Sequence, residues 1–259
     1  MQSKHPSKIW IFVPCFNVAG LVVPTLKRIP KNVLDRVDKV LVVDNNSDDG
    51  TDSLVLQFVE GQSKFSFYQN KKNYSLGGST VLAFDKAIAN QVDYLICLHS
   101  DGQAPPEQLQ DFINAIDSGE SYDFILGSRF LNESECDEYS RLRLYANHIF
   151  AWIQQFILKQ RVYDLGSYIA FNMQTIKQLA YNRVISDMGY HPNLILTAAK
   201  TLKRPLRFFE FPIAWGKVEV SHVNIWEYGI KHLSRLIRFI VTGAPLLSEP
   251  LNIQSQQIK

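Results

Sequence analysis

Cysteine is scarce in this 259-residue chain: Cys15, Cys97 and Cys136 stand far apart and form no Cys-x-x-Cys pair. That excludes a disulfide-stapled fold, gives no zinc or dithiol centre, and fits a reduced compartment. Net charge is equally scarce. With 27 Lys and Arg against 25 Asp and Glu, the formal charge of +2 makes no general case for nucleic acid, which is not expected as a partner. No apolar run approaches the roughly 18 residues that span a bilayer. The polar first eight residues run straight into an apolar strand and show no secretory leader, so the expected setting is the cytoplasm. A G-x-G-x-x-G fingerprint and a P-loop lysine are also missing.

What is present is a core-forming chain, 46% hydrophobic, with a regular rhythm. Strand-like runs at 9–13, 39–43, 65–69, 93–98 and 123–127 alternate with helix-like stretches at about 20–29, 51–60, 78–91 and 106–117. This alternation predicts an α/β domain whose mostly parallel sheet carries helices on both faces. After Arg129 the pattern predicts an amphipathic helix at 142–159, a strand at 167–172, helices at 174–182 and 191–202, and a strand at 205–211 ending at Pro212. Residues 225–241 read as a basic amphipathic helix with aromatics, suited either to a membrane interface or to docking on the domain. The polar tail at 246–259 is expected to be disordered.

Chemistry-bearing residues gather where three strands end: Pro14-Cys15-Phe16-Asn17, Asp44-Asn45-Asn46-Ser47, and His99-Ser100-Asp101-Gly102-Gln103. Ligands of open α/β sheets bind beyond the carboxyl ends of such strands. Asp101 can supply a carboxylate, and Gln103 a carbonyl oxygen, to a Mg²⁺ or Mn²⁺ that neutralises a departing diphosphate. A plain Asx turn before Pro105 is the structural alternative. Asp44 can accept from a nucleobase N–H or a ribose hydroxyl, or serve with Ser47 as a helix cap. Arg129, after the strand 123–127, suits a phosphate because its guanidinium stays charged and planar.

Four segments occur in an order that resembles family 2 glycosyltransferases of the GT-A fold, including the polyprenyl-phosphate sugar transferases. They are Pro14-Cys15-Phe16-Asn17, Asp44 to Thr51, Asp101-Gly102-Gln103 with Pro106-Glu107, and Gly127-Ser128-Arg129-Phe130. The resemblance covers roughly residues 8–222. It implies a single GT-A-like, Rossmann-like domain over 1–222, with a nucleotide-sugar half at about 8–130 and an acceptor half at 131–222, followed by a helix at 223–245.

By the same resemblance, Pro14, Phe16, Asn17, Asp44, Asn46, Gly77, Gly78, Ser100 and Asp101 bind the nucleotide sugar, and Asp101 and Gln103 hold the metal. Arg129, Arg141, Arg143, Ser167, Lys217 and His222 face the acceptor or its phosphate. Asp101, Arg129 and Asp164 are the catalytic candidates, Asp164 for acceptor positioning or as general base. The implied reaction is an inverting transfer from a nucleoside diphosphate sugar to a lipid-linked or glycan acceptor, with membrane contact through 225–241 at the cytosolic face. Glu210-Phe211-Pro212-Ile213 matches a segment expected to be structural, and His191 is a candidate base or a structural histidine. The chain departs from the pattern at His99 and Val18, where acids are usual, and at Phe16, which lacks a tyrosine hydroxyl. Those departures motivate a non-catalytic nucleotide-sugar binder as an alternative. A sugar-phosphate nucleotidyltransferase is disfavoured by the short Asn17-Val18-Ala19-Gly20 loop, which has no basic residue.

Overall fold

The structure, a computed structural model, describes residues 6–131, 135–136, 141–216 and 225–259, of which 135–136, 141–147 and 225–228 are described by backbone alone. The apolar runs form strands because their alternating side chains bury on both faces. In β1 (Ile9–Cys15), Ile9, Ile11 and Val13 join one core cluster while Trp10 and Phe12 join the other. The first face is covered by α1 (Val22–Lys27) and α2 (Lys31–Arg36), which precede β2 (Lys39–Asp44), and by α3 (Thr51–Val59), which precedes β3 (Phe65–Asn70). The second face takes α4 (Ser75–Ala89), whose Val81, Phe84 and Ala87 pack under the sheet ahead of β4 (Tyr94–Cys97). A short 3₁₀ turn starting at Pro106 leads into α5 (Leu109–Asp117), which returns the chain to the first face and to β5 (Phe124–Ser128).

Beyond β5 come β6 (Glu135–Cys136), α6 (Arg141–Leu158), β7 (Tyr168–Asn172), α7 (Met173–Ile176) and α8 (Tyr190–Leu202). The chain continues through β8 (Phe208–Pro212), β9 (Ala214–Trp215), α9 (Ile225–Thr242) and β10 (Ser255–Gln257). The main sheet has the order β10-β3-β2-β1-β4-β7-β5-β8, and β6 pairs with β9 separately. The strands β3, β2, β1 and β4 are mutually parallel, as are β5 and β8, and β7 runs antiparallel between β4 and β5. From β1 the chain moves outward through β2 and β3, then returns to the other side of β1 with β4. That reversal is a topological switch point.

Three sequence expectations change. The stretch 174–182 is α-helical only over Met173–Ile176, with a 3₁₀ turn at Tyr181–Arg183, and α2 is a separate helix begun by Pro30, which cannot continue the helix before it. The tail is ordered. β10 pairs antiparallel with β3, Phe67 N–H donates to the Lys259 carbonyl at 2.8 Å, and Leu251 and Ile253 pack on the second core cluster. An open β3 edge would leave a row of unmet backbone groups, and this polar segment, punctuated by apolar residues, satisfies them.

Candidate active site

The carboxyl ends of β2, β1 and β4 lie side by side, which brings the three predicted segments together. Asn17, at φ 51°, turns the chain sharply after β1. Its N–H donates to Ser47 Oγ at 3.0 Å, and its Oδ1 accepts from Asp48 N–H at 3.1 Å. Asp44 is fully buried. Ser47 donates to it through both its hydroxyl and its N–H, and Gln69 Nε2 donates at 3.3 Å. These donors take three of the roughly four acceptor sites of the carboxylate, and Ser47, which also accepts from Asn17, ties the β1 loop to the end of β2. Phe16 and Asn46 are exposed at the rim, Pro14 is half-buried, and Ser100 is buried where it hydrogen-bonds the Cys15 thiol. Burial pushes that thiol far up, so Cys15 is chemically inert.

Asp101 is half-buried just past β4. One of its oxygens accepts the Gln103 N–H at 3.0 Å, forming an Asx turn, and its other oxygen has no hydrogen-bond partner among the described residues. Gly102 adopts φ 73°, and a Cβ there would lie 3.0 Å from Thr25 Oγ1, so glycine is required by both conformation and space. Arg28, the C-cap of α1, clamps the loop: it forms a two-pronged pair with Glu107, at 2.9 and 2.8 Å. Gln103 donates through Nε2 to the Gly216 carbonyl, which leaves its amide oxygen as an available acceptor. No group of three His, Cys, Asp or Glu that could cage a metal occurs among the described residues. The donor set of one carboxylate oxygen and one amide oxygen fits a hard divalent cation that takes its remaining ligands from diphosphate and water.

The second half of the site is built on β5, β7 and β8. Asp164 is buried and accepts from four donors: Arg129 Nε at 2.7 Å, Arg129 Nη2 and N–H at 3.1 Å each, and Ser167 Oγ at 2.6 Å. A carboxylate so occupied anchors Arg129. Behind it, the Glu210 carboxylate accepts the N–H groups of Tyr163 and Asp164, both at 2.9 Å. Burial, with a smaller contribution from Asp164, pushes the Glu210 carboxyl up to about 7. The Arg129 guanidinium lies 5.0 Å from the Phe130 ring and 5.1 Å from the Trp215 ring. Trp215 also meets His99 edge-on at 5.7 Å, so one indole touches both halves of the site.

The structure does not bring every predicted residue to this place. Gly77 and Gly78, at the start of α4, have close neighbours: a Cβ on Gly77 would come within 2.8 Å of the Ser186 Cα, and one on Gly78 within 2.2 Å of the Tyr74 Cβ. His191 is buried against Thr80 and the Gly166 carbonyl, and burial lowers it to about 3, which makes it a neutral core histidine. Lys217 and His222, and the side chains of Arg141 and Arg143, lie outside the described residues. Sequence reasoning missed Arg28, Trp215 and the load carried by Glu210. Only Glu210 had a signal, as part of a matched segment.

Residues 10–184 match the family described as Glycosyl transferase family 2. The polyprenol monophosphomannose synthase of Mycolicibacterium smegmatis is 23% identical over 74% of this chain and 76% of its own length. The undecaprenyl-phosphate mannosyltransferase of Micrococcus luteus is 23% identical over 86% of this chain and 94% of its own length. Among solved structures, the mannosyl-3-phosphoglycerate synthase from Rubrobacter xylanophilus superposes with a TM-score of 0.67 at 15% identity, covering 98% of this chain and 87% of that one. The mannosyltransferase PcManGT from Pyrobaculum calidifontis, solved with GDP-Man and Mn²⁺, has a TM-score of 0.60 at 16% identity, over 90% of this chain and 65% of its own. Two halves of one site built on a sheet of this topology, and a match over most of the chain, give one conclusion: the chain belongs to glycosyl transferase family 2.

Proposed function

We propose that the protein transfers a hexosyl group from a nucleoside diphosphate sugar to polyprenyl phosphate, with inversion at the anomeric carbon, on the cytosolic face of a membrane. The observation that carries this reading is the occupancy of Asp164. Among the described residues, the acceptor half offers a cation, Arg129, held by an anion already committed to four donors. A sugar hydroxyl must lose its proton as it attacks, whereas a phosphate monoester is already ionised near neutral pH and asks for positive charge. The names of both curated relatives point to the same acceptor chemistry.

In this reading a phosphate oxygen of the acceptor attacks the anomeric carbon. The bond from that carbon to the diphosphate breaks, and the electron pair leaves with the nucleoside diphosphate. Arg129, kept oriented by Asp164 and by the Phe130 and Trp215 rings, attracts the acceptor phosphate. Asp101 and the Gln103 amide oxygen would hold a Mg²⁺ or Mn²⁺, which when bound neutralises charge building on the diphosphate. The Arg28–Glu107 clamp fixes the loop that presents Asp101.

The test is transfer of label from a panel of nucleoside diphosphate hexoses to undecaprenyl phosphate in detergent, with and without a chelator. A labelled lipid that forms from one donor and disappears with chelation supports the proposal. Transfer to a free glycan hydroxyl with none to the lipid phosphate would overturn the acceptor assignment, and donor binding with no transfer to either would leave a non-catalytic binder.

A further inference from the structure

We infer that α6 and α9 together form a docking face for an anionic lipid bilayer, with α6 as its leading edge. This rests on the lipid-linked acceptor proposed above but is measured separately. Both helices pack outside α8: Leu236 and Phe239 of α9 and Phe150, Ile153 and Ile157 of α6 share a small core with Leu196. Gln154 hydrogen-bonds His232 at 3.0 Å, and the Phe150 and His232 rings meet at 5.1 Å, which ties the two helices into one unit.

Their outer surfaces are apolar where water would select polar residues. On α6, Ile149, Trp152 and Phe156 fall at i, i+3 and i+7, one stripe of the helix, and Trp152 and Phe156 are 69% and 70% exposed. On α9, Ile230, Leu233, Ile237 and Ile240 repeat the pattern. Eight of the fifteen large exposed hydrophobic residues described in the protein sit on these two helices, a concentration that marks an interaction surface. No helix among the described residues is long and apolar enough to cross a membrane, so the face can lie on a bilayer but these helices do not enter it as spans.

Charge selects the occupant. Residues 141–161 contain four Lys or Arg and no Asp or Glu, and residues 225–242 contain three and one, of which Arg235 is paired with Asp187, in a chain whose total is only +2. Trp152, Phe156, Lys159 and Arg161 line a single shallow concavity of about 280 Å³, so aromatic and basic groups meet in one patch. Aromatic side chains that enter the headgroup layer beside lysine and arginine suit an anionic leaflet. The face also reaches the chemistry. His148, one turn before Trp152, lies 5.1 Å from the Phe130 ring, which stacks on the Arg129 guanidinium. A lipid phosphate on this leaflet would therefore meet the site from its Arg129 side.

The experiment is co-sedimentation of the intact protein with vesicles of phosphatidylcholine, with or without about 30 mol % phosphatidylglycerol, at about 0.05 and about 0.5 M NaCl. Binding to the anionic vesicles should weaken at high salt, and Trp152→Ser/Phe156→Ser should lose roughly tenfold or more in partitioning. An unchanged melting temperature shows that the variant folds. No binding by the wild type, or equal binding by the variant, overturns the face. Light scattering that shows a dimer dissolved by the same substitutions would also overturn it, since a second copy would then cover the stripe. Transfer to undecaprenyl phosphate in detergent reports the proposed reaction independently: turnover without vesicle binding defeats the docking face alone, and vesicle binding without turnover defeats the acceptor reading alone.

Discussion

Gln103 and Gly216 exchange two hydrogen bonds across 113 residues of chain: the Gly216 N–H donates to the Gln103 carbonyl at 2.9 Å, and Gln103 Nε2 donates back at 3.2 Å. The loop that presents Asp101 is thereby fastened to the segment that carries Trp215. Gln103→Ala keeps the backbone bond and loses the side-chain one, which costs about 1 kcal/mol of stability. Urea denaturation should show that small loss together with a larger fall in turnover, because the variant both loosens the Trp215 segment and removes the amide oxygen proposed for the metal. A loss of stability with turnover intact would mean that the fastening serves the fold alone.

Asp101→Asn tests the donor half. The amide keeps an oxygen for the Gln103 N–H, so the turn and the melting temperature should persist. Removing the charge should lower kcat/KM by about 10²- to 10³-fold and abolish the stimulation by Mn²⁺. Full turnover in this variant removes Asp101 from the chemistry.

Asp164→Ala leaves Arg129 in a largely buried place without its carboxylate, and should cost about 3–5 kcal/mol in denaturant unfolding. Arg129→Met in the same chain should recover much of that loss, since the buried ion pair is then replaced whole. Activity should return in neither variant, because Arg129 is out of position in the first and missing in the second.

The Glu210 carboxyl is raised to about 7, chiefly by burial. A carboxyl raised in the folded state favours the fold while protonated. Its contribution is complete below its ordinary 4.5 and is lost as the pH climbs through 7. Relative to wild type, Glu210→Gln should therefore be more stable at pH 8 than at pH 5, measured by urea midpoints at both. Equal differences at the two pH values would show that Glu210 titrates normally.

His191 has the opposite sense. Burial lowers it to about 3, so the stability it contributes is present above its ordinary 6.5 and is lost as the pH falls from there toward 3. His191→Gln should flatten the acid limb of a melting-temperature profile between pH 6.5 and 4, with little effect on transfer at pH 7.5. A large loss of turnover at pH 7.5 in a folded variant would return His191 to the list of possible bases.

The strands of the first half were legible because each is a short apolar run whose two faces are both buried, as in Ile9-Trp10-Ile11-Phe12-Val13. The antiparallel placement of β7 between β4 and β5 was not, since the run Tyr168–Asn172 is equally apolar in either direction. Strand-end segments with carboxylates and amides pointed to the loops that β1, β2 and β4 bring side by side. The clamp of Arg28 on Glu107, 79 residues away, and the place of Trp215 between His99 and Arg129 are products of topology alone. The glycines at the start of α4 are ambiguous in sequence for a related reason. Close helix packing and close ligand approach both call for a missing Cβ, and only the neighbours of Gly77 and Gly78 tell them apart.

The polar segment that ends in β10 does more than finish the sheet. It occupies the hydrogen-bonding edge of β3 with Gln256, Gln257 and Lys259, and anchors itself by the Lys259 ammonium on the Val59 and Gln62 carbonyls. Clipped by a protease or displaced by a fused tag, it would leave a bare strand able to pair with the same strand of another molecule. The segment 255–259 thus guards an edge as well as completing a sheet, and through Gln256 it also touches Gln69, the residue that donates to Asp44.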